Sequence, residues 1–182
     1  MKKTGLVLSV FGCFFGTAVL AQEPKPDYIP WWDCVKNTWH SDQWELVVPL
    51  NTWHNRFVYE KDKIKTYNER PWGVGIGKSY LDENKNRHSL VAMTFQDSHD
   101  DPEPTFGYSK QWIWRDTSDA WRFTLGYMAG ITFRSDYDYI PIPAVLPIIG
   151  FEYKKFSLEN TYIPGLGNNN GNVLFTWLRW RF

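Results

Sequence analysis

A side-chain alternation with a period of two runs through residues 121–133 and restricts what this chain can fold into. Its odd positions are all apolar: Trp121, Phe123, Leu125, Tyr127, Ala129, Ile131 and Phe133. Smaller or more polar residues lie between them. This pattern is typical of a β-strand with one apolar face, and its length is sufficient to cross a bilayer at a tilt.

Similar alternation occurs at residues 72–80 and 104–115. The last residues alternate as well, because the apolar Trp180 and Leu178 precede the terminal Phe182 at every second position. An aromatic residue at the end of a final strand is typical of bacterial outer-membrane barrels. The alternative is the closing strand of a soluble barrel.

Eight strands can be counted. We predict them at 44–59, 69–81, 87–97, 103–115, 120–134, 140–153, 156–163 and 172–182. Short turns alternate with longer polar connections, as in barrels with long outer loops and short periplasmic turns. The predicted fold is therefore all-β, an eight-stranded antiparallel up-and-down transmembrane β-barrel with an N-terminal amphipathic helix.

The first 21 residues have the features of an export signal. Lys2 and Lys3 precede an apolar stretch that ends in small residues at Ala21. We expect cleavage near Ala21, followed by a periplasmic segment at 22–42 and the barrel at 43–182, in a Gram-negative outer membrane. A lipoprotein signal that ends at Cys13 and an uncleaved membrane anchor are the alternatives.

The charge balance and hydropathy exclude two classes of protein. The chain carries 20 Lys and Arg against 20 Asp and Glu, so we expect no nucleic-acid partner, which would favour a basic excess. A mean hydropathy of −0.46 argues against a bundle of membrane helices. The 11 Trp residues fit a membrane interface instead.

A short amphipathic helix is predicted after Pro30. Trp31, Val35 and Trp39 share one face at helical spacing. Such a helix can lie in the periplasmic membrane interface. The alternative is a helix that plugs one end of a soluble barrel.

Glycines concentrate on the strand faces opposite the aromatic residues. A barrel of eight strands holds packed side chains or one small ligand, and missing side chains on its inner face would leave a cavity. The glycines therefore predict a cavity of about acyl-chain size beside Gly73, Gly75, Gly107 and Gly126. Glycine that relieves strain in a tightly curved barrel is an equally good interpretation.

Several prolines fall in predicted strands. Pro49, Pro71, Pro141 and Pro143 lack the N–H that a strand ladder requires. They predict gaps in the barrel wall that give a lipid lateral access. The alternative is that they end strands near the loops.

Few residues in the mature chain offer catalytic chemistry. Cys34 would be its only cysteine, and neither His/Cys spacing for a metal nor a nucleophile elbow is present, so we expect neither metal nor cofactor. An up-and-down barrel brings the end of the first strand and the end of the third to the same outer rim. His54, Asp97 and Ser98 form the only His/Asp/Ser group that this topology places at one level.

Several segments resemble the PagP family of outer-membrane lipid A palmitoyltransferases. They include Asn51-Thr52-Trp53-His54-Asn55-Arg56-Phe57, Tyr67-Asn68-Glu69-Arg70-Pro71-Trp72-Gly73, Phe95-Gln96-Asp97-Ser98, Tyr139-Ile140-Pro141-Ile142-Pro143 and Thr161-Tyr162-Ile163-Pro164-Gly165. The resemblance implies transfer of a palmitoyl chain from the sn-1 position of a glycerophospholipid to lipid A. It also implies an interior acyl pocket and maps the catalytic residues onto His54, Asp97 and Ser98. We expect His54 to be the general base, Asp97 to orient or charge-stabilise its imidazole, and Ser98 to donate a hydrogen bond or hold the ester. We expect a monomer.

One position departs from the family pattern. Ser109 stands where the resemblance places a glycine at the pocket floor, so we expect a donor chain of sixteen carbons or slightly fewer. Direct transfer and a covalent acyl-Ser98 intermediate both stay open, as does the acceptor position. A non-enzymatic small outer-membrane barrel and a soluble lipocalin-like carrier are the alternative functions.

Overall fold

Eight antiparallel strands form a closed barrel in chain order, which confirms the predicted fold. The computed structural model describes residues 30–115, 120–165 and 171–182. The strands are β1 (Trp44–His54), β2 (Gly73–Leu81), β3 (Arg87–Gln96), β4 (Pro102–Arg115), β5 (Trp121–Phe133), β6 (Pro141–Tyr153), β7 (Phe156–Ile163) and β8 (Val173–Arg181). The helices are α1 (Trp31–His40) and α2 (Lys61–Ile64), with a 3-10 turn at Ser135–Tyr137. The predicted signal peptide lies outside the described residues.

The barrel exterior carries the apolar face of each alternating strand. Trp112, Trp114 and Phe123 are exposed, whereas their sequence neighbours Gln111 and Thr124 are buried inside the barrel. The period-two pattern therefore separates a lipid-facing surface from a polar interior. None of the helices in the described part of the chain is long and apolar enough to cross a membrane.

Two predicted strand boundaries differ from the structure by more than one residue. The sequence pattern predicts a first strand that reaches residue 59, but β1 ends at His54. The backbone turns there, and the N–H groups of Val58 and Tyr59 donate to the Asn55 carbonyl at 3.1 Å. The second predicted strand starts at residue 69, but β2 begins at Gly73. The connection between them contains the short helix α2, which the sequence did not predict.

The strand ladder is incomplete at two places in the outer half of the barrel. β1 pairs with β2 only as far as Val47 and Gly75. β6 pairs with β7 only between Ile148 and Tyr153, from the pair Ile148–Thr161 to the turn between the two strands. Beyond these pairs the neighbouring strands separate, although each keeps its partner on the other side.

Helix α1 packs against the outside of the barrel. Cys34 and Thr38 are buried against the barrel, whereas Trp31, Trp32 and Trp39 point away and are exposed. The helix therefore presents tryptophans to its surroundings, as an interfacial helix does. It contacts β2 and β3.

The interior is arranged in layers. Five buried side chains form an apolar layer across the middle: Val47, Met93, Ile148, Phe175 and Trp177. Beneath this layer lies a buried ion-pair network, in which Arg179 Nη2 is 3.3 Å from Glu159 Oε2 and Nη1 is 3.4 Å from Glu45 Oε2. A second pair joins Arg87 and Glu152 in the same lower half. A cavity occupies the space above the apolar layer.

Candidate active site

His54 faces the barrel interior because β1 contains a bulge. Pro49 pairs with Trp177 and Asn51 with Thr176 on β8, so that Leu50 has no partner and the inward face shifts from odd to even positions. Val47 is inward before the bulge, and His54 is inward after it, with 2% of its surface exposed. Bulges re-aim side chains in this way and are frequent beside active sites.

Both ring nitrogens of His54 have partners. Nε2 lies 3.0 Å from the Ser98 hydroxyl oxygen, and Nδ1 lies 3.1 Å from Glu69 Oε1. A carboxylate accepts but does not donate hydrogen bonds, so Nδ1 carries the proton. Nε2 is then an acceptor directed at Ser98.

Glu69 is held by several contacts at once. Its Oε1 accepts a hydrogen bond from the His54 backbone N–H at 3.1 Å, and Arg56 donates to its two oxygens at 2.8 and 2.5 Å. Burial raises the pKa of Glu69, but the hydrogen bonds from Arg56 and His54 outweigh this effect and hold the pKa below its ordinary value. Glu69 is therefore a carboxylate at neutral pH.

Two tyrosines pack on the imidazole of His54. Tyr67 stacks on it with ring centroids 4.7 Å apart, and Tyr59 meets it edge-on at 5.1 Å. Both come from the connection between β1 and β2. The sequence pattern predicted Tyr59 at the end of the first strand and Tyr67 in a polar connection. Together they restrict rotation of the ring.

Asp97 lies at the same rim, but the ring nitrogens of His54 have Glu69 and Ser98 as their hydrogen-bond partners, not Asp97. Its Oδ1 accepts hydrogen bonds from the backbone N–H groups of His99 and Asp101, at 2.7 and 3.0 Å. Its Oδ2 is 3.3 Å from the Ser135 hydroxyl. The prediction that Asp97 orients the imidazole therefore differs from the structure, in which Glu69 has that place and Asp97 shapes the turn that carries Ser98.

A cavity of about 440 Å³ opens beside these groups. His54, Asp97 and Ser98 all line it, so the structure brings the three predicted catalytic residues to one site. Its deeper wall is apolar and includes Met93, Phe95, Met128, Leu146, Ile163 and Phe175. The volume lies within the range of about 300–1,000 Å³ that is usual for ligand pockets.

The predicted pocket residues do not line this cavity. Gly73, Gly75, Gly107, Ser109 and Gly126 lie on inward faces, but bulkier neighbours line the cavity in their place. Phe95 and Met93 pair with Gly73 and Gly75, and Met128 packs against Gly107 and pairs with Ser109. Gly126 illustrates the alternative interpretation, since a Cβ there would be 2.8 Å from the Gln111 Cα. Close strand approach therefore explains this glycine better than a need for empty space.

Ser109 is buried below the cavity. It pairs with Met128 across β4 and β5 and is 3% exposed. Its hydroxyl oxygen has no hydrogen-bond partner among the described residues. The floor of the cavity is formed by methionine side chains, which cover Ser109.

The predicted prolines lie beside the two interruptions of the ladder. Pro49 is at the bulge of β1, beyond its last pair with β2, and Pro71 is buried just before β2. Pro141 and Pro143 pair with β5 but lie in the part of β6 that has no ladder to β7. Proline is suited to such positions because it has no N–H to donate.

One group of side chains has the composition of a metal site. Ligand atoms of Asp97, His99 and Asp136 lie within 4.8 Å of one another. However, Asp136 already contacts two basic side chains, with His99 Nδ1 at 3.5 Å and Arg134 Nη2 at 3.0 Å. These contacts account for the cluster as a group of hydrogen-bonded and charged side chains at the rim.

The arrangement can move a proton at the mouth of an apolar cavity. An imidazole with a protonated Nδ1 and an acceptor Nε2 is suited to general-base catalysis on a hydroxyl group. Sequence reasoning found His54 and Ser98 but missed Glu69, although it lies in one of the segments that carry the family resemblance. The loop conformation that brings Glu69 to His54 has no simple sequence pattern.

Comparisons with known proteins place the chain in a family. The family model described as "Antimicrobial peptide resistance and lipid A acylation protein PagP" matches residues 34–179. The proteins named "Lipid A acyltransferase PagP" from Laribacter hongkongensis and Yersinia enterocolitica are each 55% identical to this chain. The first alignment covers 82% of this chain and 72% of the relative, the second 79% and 71%.

A solved structure of the outer membrane protein Ail of Yersinia pestis, in a phospholipid bilayer nanodisc, is also similar. Its TM-score is 0.42 at 11% identity, covering 78% of this chain and all of Ail. The family model and the relatives carry the assignment: this chain belongs to the PagP family of lipid A acylation proteins.

Proposed function

We propose that this protein transfers a palmitoyl or similar acyl chain from the sn-1 position of a glycerophospholipid to lipid A, at the outer leaflet of the outer membrane. The observation that carries the proposal is the acceptor Nε2 of His54, positioned with Ser98 at the mouth of an apolar cavity. The reaction needs a proton acceptor next to the ester and an apolar cavity that holds the acyl chain away from water. This site offers both.

His54 acts as the general base. Its Nε2 takes the proton from the attacking hydroxyl, the oxygen forms a bond with the ester carbonyl carbon, and the bond to the glycerol oxygen breaks. The proton returns to the glycerol oxygen, so a lysophospholipid leaves. Asp97 holds the turn on which Ser98 lies, and Ser98 donates a hydrogen bond to the ester or attacks it first.

The acyl chain lies in the cavity above Met93 and Met128. The two interruptions of the ladder, beside Pro49 and Pro71 and beside Pro141 and Pro143, give lipids lateral access to it. The protein acts as a monomer without a cofactor, after removal of the signal peptide near Ala21.

Mass spectrometry of lipid A tests the proposal. Cells that express the wild-type protein should show lipid A with one additional acyl chain, and cells that express His54→Ala at equal folded level should not. Undiminished acylation by His54→Ala, or none by the wild type, would contradict it.

A second measurement separates the two chemical routes. The purified barrel is incubated with a donor that carries a labelled sn-1 chain, in the absence of lipid A. Label retained on the denatured protein, and absent from Ser98→Ala, indicates an acyl-Ser98 intermediate. Label that stays on lipid indicates direct transfer.

A further inference from the structure

We infer that Glu69, fixed by Arg56, is the positioning residue that orients His54 for acyl transfer. This inference rests on the proposed function and adds a residue that the predicted His54, Asp97 and Ser98 group did not contain. It assigns to Glu69 a contact that the sequence had indicated for Asp97.

The first support is the geometry of the contact itself. Glu69 Oε1 is 3.1 Å from both the Nδ1 and the backbone nitrogen of His54. One oxygen therefore fixes the ring and the main chain of the same residue. A carboxylate that accepts a hydrogen bond from Nδ1 selects the tautomer in which Nε2 is the base, as in the triads of hydrolases.

The second support is the position of Glu69 in the barrel wall. β1 has lost its ladder to β2 before it reaches His54, and the segment that precedes β2 takes over. The Glu69 carbonyl accepts hydrogen bonds from Thr52 N at 3.0 Å and from Asn51 Nδ2 at 2.9 Å. The backbone of Glu69 is thus tied to β1, which keeps its side chain in register with His54.

The third support is the paired charge. Arg56 contacts both Glu69 oxygens in a bidentate arrangement, the geometry that makes Arg–carboxylate pairs specific. Arg56 is 42% exposed and Glu69 24%. The pair thus holds Nδ1 on the more exposed side of the site, whereas Nε2 is directed at Ser98 beside the cavity.

The fourth support is that Asp97 is already engaged. It accepts two backbone hydrogen bonds and lies near the Ser135 hydroxyl. These contacts hold the turn between β3 and β4. Asp97 and Glu69 therefore have separate tasks, one at Ser98 and one at His54.

The test compares Glu69→Gln, Glu69→Ala and Asp97→Asn with the wild-type barrel in detergent micelles. Asp62→Asn is the matched control, because Asp62 lies in the same connection, is 93% exposed and pairs only with Lys65 among the described residues. Two experiments are made on each variant. Kinetics give the kcat and the donor KM of acyl transfer, and NMR of ¹⁵N-histidine-labelled protein shows which ring nitrogen of His54 carries the proton.

We expect Glu69→Gln to lower kcat by about 10²- to 10⁴-fold with little change in KM, since it keeps an oxygen acceptor but loses the charge that favours the Nδ1 proton. Glu69→Ala should move the proton of His54 from Nδ1 toward Nε2, the tautomer that is preferred without a partner. Asp97→Asn should leave the Nδ1 proton in place, and Asp62→Asn should match the wild type in both measurements.

Wild-type kcat in both Glu69 variants would overturn the inference, as would an unchanged tautomer in Glu69→Ala or loss of the Nδ1 proton in Asp97→Asn. If Glu69→Ala does not fold, the kcat and KM of Glu69→Gln decide. If the wild type itself transfers no chain, the proposed function fails, whereas the tautomer measurement still reports whether Glu69 orients His54.

Discussion

Met128 packs directly against Gly107: a Cβ at position 107 would lie 3.1 Å from both the Cγ and the Sδ of Met128. Met128 also covers Ser109, its partner across β4 and β5. On this side of the barrel, Met128 thus lies between the cavity and Ser109. The depth available to an acyl chain depends on Met128 before it depends on Ser109.

We expect Met128→Ala to deepen the cavity onto Gly107 and Ser109 and to favour longer donor chains. Adding or removing the space for one methylene group in an apolar pocket changes the discrimination between two substrates of different chain length by about 10- to 200-fold. The distribution of chains transferred from a mixed phospholipid pool, read by mass spectrometry, checks this. Leu125→Ala is the control, since Leu125 lies on the same strand but faces outward. An unchanged distribution in Met128→Ala would show that the floor lies elsewhere.

Arg179→Met should destabilise the barrel strongly. It removes the ion-pair partner that Glu45 has among the described residues. It also removes one of the two basic partners of Glu159, which keeps Arg87 at 3.7 Å. Breaking a buried pair costs about 3–5 kcal/mol. Urea unfolding in lipid vesicles measures the loss, and Arg70→Met, at an exposed loop position, controls for removal of a charge. A loss below about 1 kcal/mol, the usual range for surface pairs, would contradict a structural role of the network.

The ionisation of Glu69 should be visible at His54. The pKa of Glu69 lies below its ordinary value of 4.5 because the hydrogen bonds from Arg56 and His54 outweigh burial. Its stabilising contribution is therefore complete above about pH 4.5 and is lost as the pH falls through the lower folded pKa. The His54 amide proton donates to this carboxylate, so its NMR shift should titrate with a midpoint below 4.5.

Two variants complete this titration. Glu69→Gln should abolish it, and Arg56→Met should raise the midpoint because the largest favourable hydrogen bond is lost. A midpoint that Arg56→Met leaves unchanged would mean that the bidentate pair does not hold Glu69 ionised.

The interruption between β6 and β7 allows a paired test of lateral access. Ala144 lines the cavity in the part of β6 without a ladder to β7, whereas the adjacent Val145 points outward and is 73% exposed. We expect Ala144→Trp to reduce kcat/KM for the donor at least tenfold, because the indole fills the passage, and Val145→Trp to have little effect. Equal activity of the two variants would place lipid access elsewhere.

The strand pattern was predictable wherever one face meets lipid and the other does not. The structure confirms the strand that the alternation predicts between Trp121 and Phe133, and the apolar odd positions of this strand point outward. In β1 the same logic fails, because the bulge at Leu50 reverses the inward face and a strictly alternating strand would direct Trp53 inward instead of His54. A bulge is set by pairing with a strand over a hundred residues away, which no local pattern contains.

The sequence predicts at which end of the barrel the candidate site lies, but not which side chains contact one another there. Topology alone brings the ends of β1 and β3 together, and His54 and Ser98 are indeed in contact. The position of Glu69 depends on a loop whose backbone bonds to β1, and the cavity floor depends on methionine rotamers. The relatives are named acyltransferases, so the comparisons favour the enzyme over a non-enzymatic barrel.

The layered interior also bears on ion permeability. The cavity ends at the apolar layer of Val47, Met93, Ile148, Phe175 and Trp177, and the ion-pair network fills the lumen below it. A hydrated ion would have to displace packed side chains and separate buried charge pairs to pass between the two sides. The described part of the lumen is thus closed below the cavity, and the barrel holds its substrate chain without acting as an ion channel.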